Sequence, residues 1–274
     1  MKFKELINYL DEQFPRSLSM LGDNDGVDVC VDYDLEIGRT LLVLDVTFDA
    51  INYAITNGYN CILSHHTMIY QPMKKLDLSN VAIKKAVTLA RHDICVASFH
   101  TRLDCVSGGV NDSLLTALHI DNNDNNKVEL LCDPENNNVP IGRIVTLGEE
   151  MNLYDFIGDI KKSMRKYYKK EFSCDAAVNI NYIKGGGKVK KIGVVSGGGM
   201  GSAELAAKTG IDTFFTGEGK YPNILELYES YNINIITAGH FETETVVLPF
   251  IKYKINERFP DAKVDYFIGE NTDI

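Results

Sequence analysis

Two adjacent histidines, His65 and His66, close the apolar run CILSHH in a chain that contains only six histidines. Neighbouring side chains of a strand point to opposite faces, but a pair just beyond the strand end, where the backbone turns, can flank one common point. Two further apolar runs, VASFHTRLD and IITAGHFETE, end in residues of similar chemistry: His100, Asp104, His240, Glu242 and Glu244. Side chains of these types act as acid–base groups and as ligands of divalent metal ions.

The spacing of these residues favours two metal ions. His240 and Glu244 are four residues apart, so a helix that begins just before His240 places both on one face, where they can share an ion. His65 and His66, splayed at a strand end, suit two neighbouring ions, and the short carboxylate of Asp104 is a natural bridge between them. Imidazole and carboxylate ligands suit zinc, iron, nickel or manganese. Two ions about 3.5–4 Å apart are typical of hydrolases that activate water.

A parallel sheet would bring these distant segments together. The carboxyl ends of parallel strands converge on one edge of the sheet, and sites form there. RTLLVLDVT, NCILSHH and ICVASFHT are predicted strands, separated by the predicted helices FDAINYAITNG and NVAIKKAVTLARHD. Near-continuous apolar strands alternating with helices indicate an α/β fold with a covered, mostly parallel sheet. The segment DNNDNNKVELLCDPENNNVP predicts a loop or linker, and we expect a domain boundary near it.

Other features have simpler explanations. His92 and His119 lack acidic or histidine partners in a matching setting, and we expect them to be ordinary structural or surface histidines. SGGGMGS, between a predicted strand and a predicted helix, is either an anion-binding turn or a tight turn that packs the helix on the strand. It lacks the Gly-Lys-Ser/Thr of the Walker pattern, and Ser202 replaces the third glycine of the dinucleotide fingerprint.

Composition excludes several classes of function. The chain has 274 residues, of which 45% are hydrophobic and 24% charged, and its net charge is -10. This acidic balance argues against direct nucleic-acid binding, which needs a basic face, and the basic residues of 161–170 are expected to form a solvated helix face.

The six cysteines form no C-x-x-C pair, so free thiols in a reducing compartment are expected. No apolar run resembles a signal peptide or a membrane span, and a cytoplasmic protein is predicted.

Several motifs, in order, are similar to those of one known family. DNDGV and LLVLDVT resemble its opening, LSHHTMIY its double-histidine motif, and SFHTRLDCVSGGVNDSL its most specific signature, and TGEGKY and AGHFETE follow in the expected order. The chain therefore resembles, over nearly its whole length, the dinuclear-metal family of GTP cyclohydrolase type-two homologs, the Nif-three-like proteins. It is similar to the compact form, without the inserted middle domain of some members. Gly22, Thr67, Tyr221 and Val247 depart from the common pattern, but none of these changes removes a ligand.

The resemblance implies a fold and a site. It implies two α/β domains with mostly parallel or mixed sheets and a metal site in the cleft between them. The first domain would span 1–125 plus 236–274, and an inserted second domain would span 126–235. The family's metal ligands carry over onto five positions: His65, His66, Asp104, His240 and Glu244. His100 is similar to a position that lines the same site, as a ligand or beside one, and a homo-oligomer in the form of a toroidal hexamer is expected.

These observations support two functions of different classes. The first is a dinuclear metal-dependent hydrolase in which His100 or Glu242 moves protons. The family name implies opening of the imidazole ring of GTP, and phosphoester cleavage is an equally natural use of two metals, so the expected substrate is a nucleotide or a phosphoester. The second is a non-enzymatic metal-binding or regulatory protein that acts through partners.

Overall fold

The computed structural model describes residues 1–122, 125–175 and 178–269. Within these residues the chain divides into two units. The first unit contains Met1–Leu103 and the chain from Leu248 onward, and the second unit contains Asp104–Val247. The first unit is therefore assembled from both ends of the chain, and the second is one continuous segment.

The first unit is built on a five-stranded sheet. Its strands are β1 (Gly26–Val29), β2 (Arg39–Val43), β3 (Cys61–Ser64), β4 (Cys95–Ser98) and, at the end of the chain, β11 (Lys263–Tyr266). The order in the sheet is β1-β4-β3-β2-β11, and all neighbours are parallel except β1 and β4. Its helices are α1 (Phe3–Gln13), α2 (Phe48–Asn57), α3 (Val81–Arg91) and α10 (Leu248–Arg258). Every residue of β3 and β4 is buried, as expected for parallel strands covered by helices.

Local sequence signals determine where the helices between these strands begin and end. Thr47 caps α2, because its side chain accepts a hydrogen bond from Ala50 N at 3.1 Å, and Gly58 ends the helix in the left-handed conformation (φ 69°). Asn80 caps α3 in the same way, by accepting from two amides of its first turn. These caps satisfy backbone groups that helix ends leave without an intrahelical partner. The predicted strand–helix–strand order is confirmed in this unit.

The second unit is built on a six-stranded mixed sheet. Its strands are β5 (Lys127–Asp133), β6 (Val139–Asn152), β7 (Asn181–Ile183), β8 (Lys188–Val195), β9 (Thr213–Thr216) and β10 (Asn234–Thr237). The order is β5-β6-β8-β9-β10-β7, in which β8, β9 and β10 run parallel and the other pairs are antiparallel. Its helices are α5 (Val110–Leu118), α6 (Leu153–Phe172), α7 (Ala203–Ala207), α8 (Tyr221–Tyr231) and α9 (His240–Glu244), and α4 (Thr101–Cys105) contains the boundary between the units. The predicted α/β class with mixed sheets is confirmed.

The structure differs from the sequence prediction in two details. The Asn- and Asp-rich segment is not only a loop, because β5 lies within it and pairs antiparallel with β6, with Val128 opposite Val145; residues 123–124 lie outside the described part. The first unit ends at Leu103 and resumes at Leu248, whereas the predicted boundaries fall near 125 and 236. The physical source of this difference is burial, because the apolar face of α5 packs in the same core as α6.

The cysteines, the basic residues of α6 and the helix lengths were the subject of predictions from composition. All six cysteines lie in the described residues and have free thiols. The basic residues of α6 are mostly exposed, whereas Phe156, Ile160 and Met164 on its other face are buried in the core, so the basic cluster is a solvated helix face. Among the described helices, none is long and apolar enough to cross a bilayer.

Arg102 anchors the chain just beyond β4. Its guanidinium is fully buried, donates from Nε to Asp25 Oδ2 at 2.6 Å, and donates from Nη1 to Asp11 Oδ1 at 2.7 Å and to Phe14 O at 2.9 Å. The guanidinium carbon also lies 4.6 Å from the centre of the Phe99 ring. Asp25 is itself only 8% exposed. Arg102 and Asp25 therefore form a buried ion pair, in which removal of one partner leaves the charge of the other buried and uncompensated.

We predict that Arg102→Leu lowers the free energy of unfolding by about 3–5 kcal/mol, because it leaves the Asp25 carboxylate buried without its cation. Urea denaturation followed by circular dichroism measures this loss. Arg91→Leu, at the exposed end of α3, is the matched control and should change the free energy of unfolding by less than about 0.5 kcal/mol. Equal effects of the two substitutions would contradict the anchoring role.

Candidate metal centre

Three histidines meet at the carboxyl edge of the first unit's sheet. β3 and β4 are parallel and in register, with Ser64 opposite Ser98, so the residues that follow the two strands lie side by side. His65 and His66 follow β3, and His100 follows β4. Beyond the strand end His65 and His66 no longer point to opposite faces, since their ring centres are 5.0 Å apart. The ring centre of His100 lies 5.4 Å from that of His65 and 5.8 Å from that of His66.

Each of these imidazoles has an acceptor at Nδ1. His65 Nδ1 lies 3.2 Å from the carbonyl oxygen of Phe99, His66 Nδ1 lies 2.8 Å from Asp45 Oδ1, and His100 Nδ1 lies 3.0 Å from Asp23 Oδ1. A carbonyl oxygen only accepts, so the hydrogen of His65 must be on Nδ1, and ionised carboxylates place the same demand on the other two rings. In a neutral imidazole Nε2 then carries the lone pair, which is the form that binds a metal ion.

The three rings fit a transition metal ion. One ring nitrogen of each histidine lies within 4.8 Å of the corresponding nitrogens of the other two. Imidazole suits zinc, iron, nickel and copper. A metal-binding histidine characteristically donates the N–H of its other ring nitrogen to a carboxylate or a backbone carbonyl. All three histidines satisfy that condition. His100, which the sequence predicts as a proton-transfer residue, is thus also placed where a ligand could act.

The carboxyl group of Asp23 has a strongly shifted pKa. Burial by itself raises the pKa of its carboxyl group, but hydrogen bonds from His100 and from the hydroxyl and amide of Thr101 outweigh burial and lower the pKa well below its ordinary value. Asp23 therefore remains a carboxylate at neutral pH and keeps the hydrogen of His100 on Nδ1.

The second unit contributes a histidine and a glutamate on one short helix. His240 and Glu244 begin and end α9, as their spacing predicts, and His240 Nε2 lies 3.0 Å from Glu244 Oε2. Two donor atoms at this separation can bind one ion through bonds of about 2.0–2.2 Å. The other nitrogen, Nδ1, lies 3.1 Å from Glu218 Oε1. Glu244 is 5% exposed, so its carboxylate is held inside the unit.

Glycines at the ends of β8, β9 and β10 make room for α9. A Cβ on Gly197 would overlap Glu244 Oε1 and lie 2.6 Å from its Cδ, and a Cβ on Gly217 would lie 2.6 Å from the hydroxyl oxygen of Thr243. Thr243 is fully buried, and its Oγ1 accepts from Gly197 N at 3.0 Å. At Gly197 the glycine-rich stretch after β8 therefore packs against Glu244, and the amide of Gly197 donates to Thr243. The anion-binding alternative stays a prediction.

Asp104 and Glu242 complete the set of predicted site residues. Asp104 begins the second unit, and its carbonyl oxygen accepts from Asn111 Nδ2 at 3.0 Å. The Glu242 carboxylate folds back against its own helix start, where a Cβ on Gly239 would lie 2.7 Å from Glu242 Cδ. The backbone oxygen of Glu242 accepts from the hydroxyl of Tyr168 at 3.0 Å. The roles of both side chains remain predictions.

The structure adds three carboxylates that the sequence prediction missed as site residues: Asp23, Asp45 and Glu218. Each of them contacts Nδ1 of a histidine in its own unit. All three lie in short motifs that follow the family pattern: DNDGV, LLVLDVT and TGEGKY. Their place in these motifs was the sequence signal that could have identified them as site residues. Which acid contacts which histidine depends on tertiary contacts and has no signature in the sequence.

A protein-family comparison matches this chain along its length. The model of the family described as Duf34/NIF3 (NGG1p interacting factor 3) matches residues 1–273. The chain belongs to the Duf34/NIF3 family. A relative from Clostridium perfringens, named GTP cyclohydrolase 1 type 2 homolog, is 30% identical over 271 residues, which cover 98% of this chain and 97% of that protein.

Two further comparisons concern Staphylococcus aureus proteins. A relative named GTP cyclohydrolase 1 type 2 homolog is 23% identical over 363 residues, which cover 99% of this chain and 98% of that protein. Because that alignment is longer than this chain, the relative contains residues that have no counterpart here, as expected for a compact NIF3 chain. A crystal structure described as hypothetical protein SA1388 matches with a TM-score of 0.81 and 24% identity, covering 100% of this chain and 98% of that one. At this identity it shows a common fold.

We predict that Gly197→Ala weakens metal binding by the NIF3 chain about 10–100-fold. The new Cβ would occupy the position of the Glu244 carboxylate, and the φ of Gly197 (+54°) is also unfavourable for alanine. Gly201→Ala is the matched control, because it lies in the same glycine-rich stretch and a Cβ there meets nothing within 4 Å. Competition with a chromophoric chelator measures both affinities, and equal affinities would contradict the steric account.

We predict that Asp45→Asn also weakens metal binding about 10–100-fold, because an amide can present its NH2 group as well as its oxygen to Nδ1 and, unlike the acceptor-only carboxylate, does not fix the hydrogen of His66 there. Asp49→Asn, an exposed acid in the first turn of α2, is the control for the loss of one negative charge. Isothermal titration of the metal-free protein measures both affinities. Wild-type affinity in Asp45→Asn would show that the contact with His66 has no orienting role.

Proposed function

We propose that this protein is a dinuclear metal-dependent hydrolase. The ligands would be His65 and His66 from the first unit and Asp104, His240 and Glu244 from the second, and they would hold two divalent ions, zinc, iron, manganese or nickel. The observation that carries the proposal is that three clustered imidazoles each have an acceptor at Nδ1. The pair His240 and Glu244 supports it independently.

The bound ions would supply Lewis acidity, which polarises the group under attack and lowers the pKa of a water molecule. The protein's own residues supply orientation and proton transfer. His100, whose Nδ1 hydrogen is held by Asp23, presents Nε2 as a site that can accept and return a proton. Glu242 is the second proposed proton-transfer group. His100 is also a candidate ligand, so it can contribute in either role.

The proposed substrate is a nucleotide or a phosphoester. The relatives named GTP cyclohydrolase 1 type 2 homolog support GTP, whose imidazole ring would be opened by hydrolysis at the carbon between its two nitrogens. Phosphoester cleavage is the other chemistry for which paired divalent ions are suited. The proposal includes a cytoplasmic homo-oligomer, a toroidal hexamer, and no direct contact with nucleic acid or membrane.

The second candidate is a metal-binding or regulatory protein without turnover. The family description, NGG1p interacting factor 3, names an interaction with a protein and not a reaction. In this candidate the same ligands would bind metal for a structural or regulatory purpose, and the protein would act through a partner. The two candidates share the metal centre, but the first turns over a substrate and the second acts through a partner without turnover.

Elemental analysis combined with a substrate screen separates the two candidates. We predict about two transition-metal ions per chain in the wild type and hydrolysis of GTP or of a member of a nucleotide and phosphoester panel. Asp104→Ala and His240→Ala should lose metal and at least about 100-fold in rate. His92→Ala, an exposed histidine after α3, should keep both metal and rate.

The outcomes of this screen separate the two candidates from each other and from a protein that binds no metal. Turnover that survives both Asp104→Ala and His240→Ala would overturn the metal mechanism. Tight metal without turnover on any substrate would replace the hydrolase with the second candidate. A wild-type protein that takes up no transition metal would overturn both candidates.

A further inference from the structure

Asn111 is a buried amide in which both polar atoms have partners. It is the second residue of α5 and is 0% exposed. Its Oδ1 accepts from Ser196 N at 3.0 Å, and its Nδ2 donates to Asp104 O at 3.0 Å and to Ile141 O at 3.1 Å. One side chain thus joins three separate segments of the second unit, and two of these segments lead to proposed metal ligands.

The first of these connections ends on Asp104. Asp104 lies in the last turn of α4, where carbonyl groups have no partner within the helix. The hydrogen bond from Asn111 satisfies the carbonyl of Asp104 itself. This contact restrains the backbone that carries the Asp104 carboxylate.

The second connection leads to Glu244. Asn111 holds the amide of Ser196, and the next residue, Gly197, lies directly against the Glu244 carboxylate. The amide of Gly197 is in turn held by Thr243, the neighbour of Glu244 on α9. The contact between Asn111 and Ser196 therefore restrains the surface on which Glu244 rests.

Asn111 is itself held in place by an ion pair between its neighbour Asp112 and the buried Arg143. The next residue, Asp112, accepts from Nε of Arg143 at 2.5 Å and from Nη2 at 3.0 Å, and it also accepts from Gly108 N at 2.7 Å. Arg143 is 1% exposed. A bidentate pair of this kind gives the first turn of α5 a defined orientation, so Asn111 is a rigid link.

We propose that Asn111 is a positioning residue of the metal centre, which sets the Asp104 and Glu244 carboxylates relative to each other. The proposal rests on the proposed metal-binding function. The role requires one acceptor and two donors at the end of a short side chain, and an amide supplies all three. Aspartate has the same shape but lacks both donors, and leucine lacks every polar atom.

Asn111→Ala tests the proposal against a matched control, Asn234→Ala. Asn234 is also a fully buried asparagine of the second unit, and it accepts from Gly185 N and Gly187 N and donates to Lys188 O. It lies at the start of β10, at the opposite end of that strand from His240. Both substitutions remove buried hydrogen bonds, so both should lower the melting temperature, but only Asn111 contacts the backbone at the proposed ligands.

Titration with Co²⁺ provides the readout that a merely structural role would not change. Asn111→Ala should weaken Co²⁺ binding about 10–100-fold and alter the visible absorption bands of the bound ion. Asn234→Ala should leave affinity and spectrum as in the wild type. Wild-type affinity and spectrum in Asn111→Ala, or equal changes in both variants, would overturn the proposal.

Crystal structures of the wild type and Asn111→Ala keep the test independent of metal binding. If the wild type takes up no Co²⁺, the proposed function fails, and the positions of the Asp104 and Glu244 carboxylates then decide the role of Asn111. A displacement of the two carboxylates relative to each other supports the proposal, and unchanged positions overturn it.

If Asn111→Ala does not fold, Asn111→Asp carries the test, because it keeps the acceptor for Ser196 N and loses both donors. Asp104 should then move while Gly197 stays in place, and an unmoved Asp104 would overturn the proposal.

Discussion

The candidate centre depends on where the hydrogen sits on each imidazole of the first unit. A neutral imidazole has one donor and one acceptor nitrogen, and only the acceptor nitrogen can bind a metal ion. For His65, His66 and His100 the choice is made by a carbonyl or carboxylate oxygen at Nδ1. These oxygens come from three different chain segments, and they reach the rings only because the strands of the sheet are in register.

The register of β3 against β4 therefore determines which atoms lie next to the imidazoles at the sheet edge. Side chains alternate between the two faces of a strand, so a slip of one residue exchanges its faces. A slip of β3 against β4 would remove the alignment of Ser64 with Ser98 and would take His65 away from the Phe99 carbonyl. Every residue of both strands is buried, so close packing of the side chains on both faces of the sheet opposes such a slip.

The second unit places its candidate ligands by close backbone approach. Glycines follow β8, β9 and β10, and the volume that their side chains would fill is occupied by Glu244, Thr243 and Glu242. Glycine loses more conformational freedom on folding than other residues, and here buried hydrogen bonds such as that from Gly197 N to Thr243 offset part of this cost. The signature SFHTRLDCVSGGVNDSL has a related role, because Arg102 and Asn111, fully buried, each connect segments distant in sequence.

The strands, the capped helices and the ligand types at strand ends could be predicted from the sequence, because periodicity, capping residues and the i, i+4 spacing of His240 and Glu244 are local properties of the chain. Three features could not be predicted: the limits of the two units, the pairing of Asp23, Asp45 and Glu218 with particular histidines, and the close packing of the Glu244 carboxylate against Gly197. Each is a contact between residues far apart in sequence, made only when register and packing are complete. The sequence by itself determined which chemistry the chain carries, and the tertiary structure decided which atoms are oriented to perform it.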